Sequence, residues 1–135
     1  MACIDTTVLI DLVGSRNKYR EKALFKIDRL IQRNEPLFTT RFNIAELYVG
    51  VERSTKPKSE EQVIHNLLKF MTILEFDDTA ARLFGQITAY LQIIGKPAGD
   101  MDVLIAATAM ASNQILITRN AKHFANIPEL KIEEY

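Results

Sequence analysis

The sequence predicts an α/β fold, a three-layer α/β/α sandwich around a mainly parallel sheet of four or five strands. Three observations predict it. Short apolar segments (ACI, PLFTT, TILEF, ILIT) are spaced along the chain. Longer stretches with apolar residues at helical spacing separate them. The short segments lack polar alternation, as strands buried on both faces should.

The elements follow in order. ACI, ahead of Asp5, reads as the first strand, and TTVLIDLV as a short helix ended by Gly14-Ser15. Between Asn17 and Arg33, residues Ala23, Leu24, Ile27, Leu30 and Ile31 recur at three and four, the mark of a one-sided helix. PLFTT is a strand, and FNIAELYVGVER is a helix with Ile44, Leu47, Tyr48 and Val51 on one stripe. TKPKS is a loop. Ser59 with Gln62 predicts a capping box that opens the helix EEQVIHNLLKFM. TILEF is the third strand, and Asp77 or Asp78 caps a long helix running to Ile94. After the turn GKPAG, DVLIAATAMA is a helix apolar nearly all round, so it should be packed on more than one side. ILIT is the fourth strand, and LKIEE a fifth.

At 135 residues the chain is expected to form one domain, 1–135. Apolar residues at 47% and charged residues at 25% place it among ordinary soluble proteins. No apolar run reaches the roughly 18 residues of a membrane span. The N-terminus has neither a basic region nor a small-residue cleavage pattern, so no signal peptide is expected. The single Cys3, set among apolar residues, reads as a buried small hydrophobe in a reducing cytoplasm. Net charge is zero, unlike a strongly basic nucleic-acid binder, yet it is uneven. Residues 1–60 hold eleven Lys/Arg against eight Asp/Glu, and residues 61–135 six against nine. The basic excess, mainly between Arg16 and Arg33, reads as a solvated helix face or as a surface that tracks phosphates.

The acids carry the functional signal. In open α/β sheets, ligands bind at the carboxyl ends of the strands. Asp5 ends the first strand, Asn120 lies past the fourth, and Asp102 begins the helix leading to the fourth. Glu46 sits between Ala45 and Leu47 in a helix, where a buried carboxylate is costly unless paired or bound to a cation. Clustered carboxylates stay ionised together mainly when a divalent cation neutralises them. All-oxygen donors favour Mg²⁺ or Mn²⁺, and no Cys/His spacing suggests zinc. Each acid also has a structural reading: Asp5 as a helix cap, Glu46 paired with Arg41 or Arg53, Asp102 as a first-turn acid favoured by the helix dipole.

Read together, 4-IDTTVLIDL-12, 43-NIAELYVG-50, 99-GDMDVLIAATA-109 and 117-ITRNAKHF-124 resemble the PIN-domain family, most nearly the ribonuclease toxins of VapBC toxin–antitoxin modules. The resemblance runs from residue 2 to about residue 132. It implies that Asp5, Glu46 and Asp102 are catalytic and bind Mg²⁺ or Mn²⁺, and that Asn120 stands where a fourth acid is common. It further implies RNA as substrate, cleavage leaving a 5′-phosphate and a 3′-hydroxyl, and a cognate antitoxin as partner. A homodimer is also expected, since small domains with large apolar helices often associate. An amide at 120 keeps a carbonyl acceptor and loses the charge.

Thr6, Asp100, Thr118 and Arg119 are expected around the acids or against substrate. Thr6 reads equally as a hydroxyl that orients Asp5 and as a cap. Asp100 is expected to cap its helix or to support the metal site. In a regular helix it would point about 200° from Asp102. Arg119 reads as a phosphate contact or as the partner of a nearby acid. Asp11 reads as a surface or dimer-contact acid, and His65 and His123 as non-catalytic. Three other function classes compete. A haloacid-dehalogenase-type phosphatase would need Asp where Thr7 stands. A phospho-receiver would need an acidic pair around Asp5 and a Lys after the last core strand. A non-catalytic interaction module on the same fold stays open because of Asn120.

Overall fold

A computed structural model describes residues 1–14 and 18–135. Along the chain run β1 (Ala2–Ile4), α1 (Thr6–Val13), α2 (Arg20–Gln32), β2 (Leu37–Thr40), α3 (Arg41–Glu52) and α4 (Pro57–Leu68). Then follow β3 (Thr72–Leu74), α5 (Asp78–Ile93), α6 (Asp100–Ala111), β4 (Ile115–Ile117), α7 (Ala121–Phe124) and β5 (Ile132–Glu133). Ser15 and Asn17, the expected end of the first helix and start of the second, lie outside the described residues.

The five strands pair in the order β3-β2-β1-β4-β5, and every pairing is parallel. The chain builds outward from β1 in one direction through β2 and β3, then returns to its other side with β4. The order therefore reverses between β1 and β4, which is where such sheets open a crevice at their carboxyl ends.

Period-two alternation divides the core. Ala2, Ile4 and Ile117 pack with α1, α2, α3 and α4 through Val8, Leu9, Leu12, Ile27, Leu47 and Ile64. Cys3 and Leu116 face the other way, against Ile87 and Leu91 of α5 and Val103, Ala106 and Ala107 of α6. Strands covered on both faces can be short and wholly apolar, as these are. α6 buries Val103, Ile105, Ala106, Ala107, Thr108 and Ala109, the packing on several sides expected of its composition.

Two helix starts differ from expectation. α4 opens at Pro57, not through a Ser59–Gln62 box, and Lys56 provides no side-chain cap. Proline has its φ preset for a first helical position and lacks an N–H that would otherwise need a partner there. Ser59 is thereby already inside the first turn. α6 opens with Gly99 at the cap position, so Asp100 is not the cap and lies within the first turn beside Asp102. Asp77 does cap α5, accepting the Ala80 N–H at 2.9 Å.

Candidate functional site

Asp5 leaves the end of β1 with its backbone N–H bonded to the Ile117 carbonyl of β4 at 3.0 Å, which places it at the switch point. Its side chain does not cap α1. The carboxylate instead accepts from Asn43 Nδ2 at 3.1 Å on Oδ1, and from Thr118 Oγ1 at 2.7 Å and Thr7 Oγ1 at 3.2 Å on Oδ2. Asp5 is only 4% exposed, yet all these donors are neutral. The fold holds the carboxylate in place without cancelling its charge.

Asn43 is the hub of that arrangement. It forms a reciprocal capping box with Thr40, which starts α3 directly from the end of β2. Its Oδ1 accepts from Thr40 Oγ1 at 2.7 Å, while Nδ2 donates to Asp5 and, at 2.8 Å, to Thr6 Oγ1. Both amide hydrogens are used. Thr6 Oγ1 then donates to Glu46 Oε1 at 2.6 Å. Three residues separate Asn43 from Glu46, so they share a helix face, and one cap aligns two carboxylates.

Asp5, Thr6, Thr7, Ile10, Glu46, Asp102, Asn120, His123 and Phe124 line one cleft. Asp102 enters from the first turn of α6, its Oδ2 lying 3.8 Å from His123 Nδ1. The acids repel one another across this space. Burial raises the Glu46 pKa, the bond from Thr6 opposes that rise, and the charges of Asp5 and Asp102 add to it. Burial also raises Asp102, with His123 lowering it and Asp5 raising it. Among the described residues, no three acid, His or Cys side chains are drawn into a closed ligand cluster. The donor set still suits a hard cation: carboxylates and an amide on an open cleft, with excess negative charge.

The other expected site residues divide. Thr6 and Thr118 touch the acids directly. Asp100 does not join them: it lines a separate hollow with Thr88, Leu91, Gln92, Pro97, Ala98 and Val103. Two residues along a helix turn the side chain away, and both acids lie within the helix. Arg119 is directed at Asp11 and does not line the cleft. Its Nε meets Asp11 Oδ2 at 2.9 Å and its Nη2 meets Oδ1 at 3.2 Å. Its guanidinium also lies 4.2 Å from the Tyr19 ring centroid. Asp11, expected at the surface, is fully buried and also accepts from the Tyr135 hydroxyl.

Asn43 and Thr7 are site residues that sequence reasoning passed over, and His123, read as non-catalytic, also lines the cleft. Asn43 had a signal, because it precedes Glu46 by one helical turn at a helix start. His123 follows Asn120 by three residues. Thr7 had none beyond lying two residues after Asp5.

A second feature borders the cleft. Ile10, Val13, Gly14, Leu47, Gly50, Val51 and Ile64 line a largely apolar trough between α1, α3 and α4, and Glu46 and Ile10 belong to both.

A doubly covered parallel sheet with acids gathered at its switch point describes a PIN domain, and residues 2–130 match that family. The chain belongs to it. Over 98% of its length it is 30% identical to Ribonuclease VapC2 of Haemophilus influenzae, covering 96% of that protein. It is 33% identical over 68% of its length to the tRNA(fMet)-specific endonuclease VapC of Salmonella typhimurium, covering 70% of that protein. Its fold superposes with a TM-score of 0.89 on a chain of VapBC2 from Rickettsia felis, solved bound to a promoter DNA fragment. That pair is 25% identical and covers 99% of this chain and 98% of the other.

Proposed function

We propose that this chain is a metal-dependent endoribonuclease and the toxin of a VapBC-type module, acting as one domain over 1–135. The observation that carries the reading is the acid cleft, where Asp5 is fixed by neutral donors and shares an opening with Glu46 and Asp102. The relatives named as VapC ribonucleases support it. Asp5, Glu46 and Asp102 would hold Mg²⁺ or Mn²⁺. A bound divalent ion supplies Lewis acidity toward a phosphodiester oxygen and lowers the pKa of a nearby water. Asn43, Thr7 and Thr118 hold the Asp5 carboxylate in a fixed orientation, and Thr6 aims Glu46. Asn120 offers a neutral acceptor at the rim. RNA cleavage in this reading leaves a 5′-phosphate and a 3′-hydroxyl.

The antitoxin would lie along the apolar trough, whose continuity with the cleft lets one bound segment cover both. A homodimer belongs to the same reading, supported by the apolar side chains of Tyr90, Ile93 and Ile94 left exposed at the end of α5. No helix among the described residues is long and apolar enough to cross a membrane. A cytoplasmic location belongs to the same reading, supported by the relatives named as VapC ribonucleases.

The test is RNA cleavage by purified, antitoxin-free protein with Mg²⁺ and with chelator. Wild type is expected to cut only with metal, and Asp5→Asn and Asp102→Asn to lose that activity. Absence of cleavage by wild type, or full activity in both variants, sinks the reading.

A further inference from the structure

The cleft has a back as well as a front. Thr118, Arg119 and Asn120 follow β4 in succession, and the chain bends at Arg119. Thr118 bonds Asp5 and Asn120 lines the cleft, while the Arg119 side chain runs behind it to Asp11. There α1 meets Arg119 twice. Thr7 Oγ1 accepts its backbone N–H at 3.0 Å, and Asp11, one turn further along the same helix face, takes its guanidinium. The strand pairing of β5 with β4 brings Tyr135 to the same place, where its hydroxyl donates to Asp11. Asn120 N–H closes the turn on Thr118 Oγ1 at 3.0 Å.

We propose that Arg119 is a positioning residue, held by Asp11 and Tyr135, that locks the Thr118–Asn120 turn against Asp5. Tyr135, which follows β5, thus acts on the acid cleft from behind through Asp11. The proposal rests on the acid cleft being the reactive site. It contrasts with a role for Arg119 in gripping the RNA backbone.

The test uses the full chain, with Tyr135→Phe and Arg119→Lys as variants. Phe removes one hydroxyl from a half-buried ring. Lys keeps the charge but loses the planar fork that matches Asp11. Amide hydrogen exchange at residues 118–120 is measured beside kcat, KM and the salt dependence of RNA cleavage. In Arg119→Lys, exchange at 118–120 is expected to quicken about tenfold while β1 amides keep their protection. kcat is expected to fall by about tenfold or more, with KM and the salt slope unchanged. Tyr135→Phe should follow in the same direction with a smaller change. Unchanged exchange at 118–120 in both variants overturns the proposal. So does a raised KM with a shallower salt slope and intact kcat, which marks a phosphate contact. If wild type cuts no RNA, the ribonuclease reading fails, and the exchange result alone decides whether the lock exists.

Discussion

Asp5 and Asp11 are six residues apart on the same β1–α1 unit, and the fold buries both. Their surroundings differ in one respect that decides their roles. Asp11 meets a guanidinium through two hydrogen bonds, so its charge is neutralised within the protein. Asp5 meets an amide and two hydroxyls, which orient the carboxylate and bring no positive charge to it. A buried carboxylate with its own cation is a fastening. A buried carboxylate held by neutral donors and facing other acids is, in the function proposed above, the one that receives a cation from outside.

The contrast is broken most sharply by removing one charge at a time. Asp5→Asn is expected to lower kcat by about a thousandfold, as loss of a main charge-stabilising group does. Its melting temperature should hold, because the new amide still accepts from Asn43 and the hydroxyls can rotate to accept from it. Arg119→Met is expected to show a larger loss of stability, about 3 kcal/mol by urea denaturation, since it strips the guanidinium from the buried Asp11. Asp11→Leu combined with Arg119→Met should recover much of that loss. If Asp5→Asn instead unfolds the protein while Arg119→Met leaves it stable, the assignment of the two aspartates is reversed.

Glu46 sharpens the comparison through pH. Its folded pKa and that of Asp102 are raised, chiefly by burial and then by neighbouring acids. The folded state therefore binds protons more tightly than the unfolded chain does. The stabilisation from these two groups is fully present below the unfolded carboxylate pKa and is lost as pH rises through the raised folded value. Metal-free protein should show this decline above about pH 4, the ordinary Glu range. Glu46→Gln keeps the acceptor for Thr6 and should flatten the decline, and added Mg²⁺ should do the same for wild type. Thermal melts against pH check both, and a slope of opposite sign refutes the electrostatic account.

The smallest effect is expected at Asn120. Asn120→Asp adds a fourth carboxylate to the cleft, so Mn²⁺ affinity measured by calorimetry should rise several-fold. Without metal, the variant should be slightly less stable than wild type. An unchanged affinity would place residue 120 outside the cation's reach.

The layered α/β architecture was legible because it rests on local patterns. Apolar strands covered on both faces and one-sided helices leave periodicity in the sequence itself. The placement of Asp5 at a strand end, of Glu46 on the helix it shares with Leu47, and of Asp102 in a first turn was legible for the same reason. The start of α4 was misread because Ser59 and Gln62 match a capping pattern, while Pro57 begins the helix two residues earlier. Asp100 and Asp102 could be separated only by knowing that Gly99 takes the cap, which sets both acids on one helix and turns Asp100 toward a different hollow.

What the sequence by itself determined is where each acid sits on its own element. Local backbone preference and apolar periodicity reach about one helix or strand and no further. Which acids face one another was decided by the tertiary structure, through contacts that leave no local trace. Asn43 and Thr118 reach Asp5 from 38 and 113 residues away, and Tyr135 reaches Asp11 from 124. Nothing near Asp5 or Asp11 in the chain tells them apart as proposed cation ligand and fastening. Only when β4 lies beside β1 does one aspartate meet hydroxyls and the other an arginine.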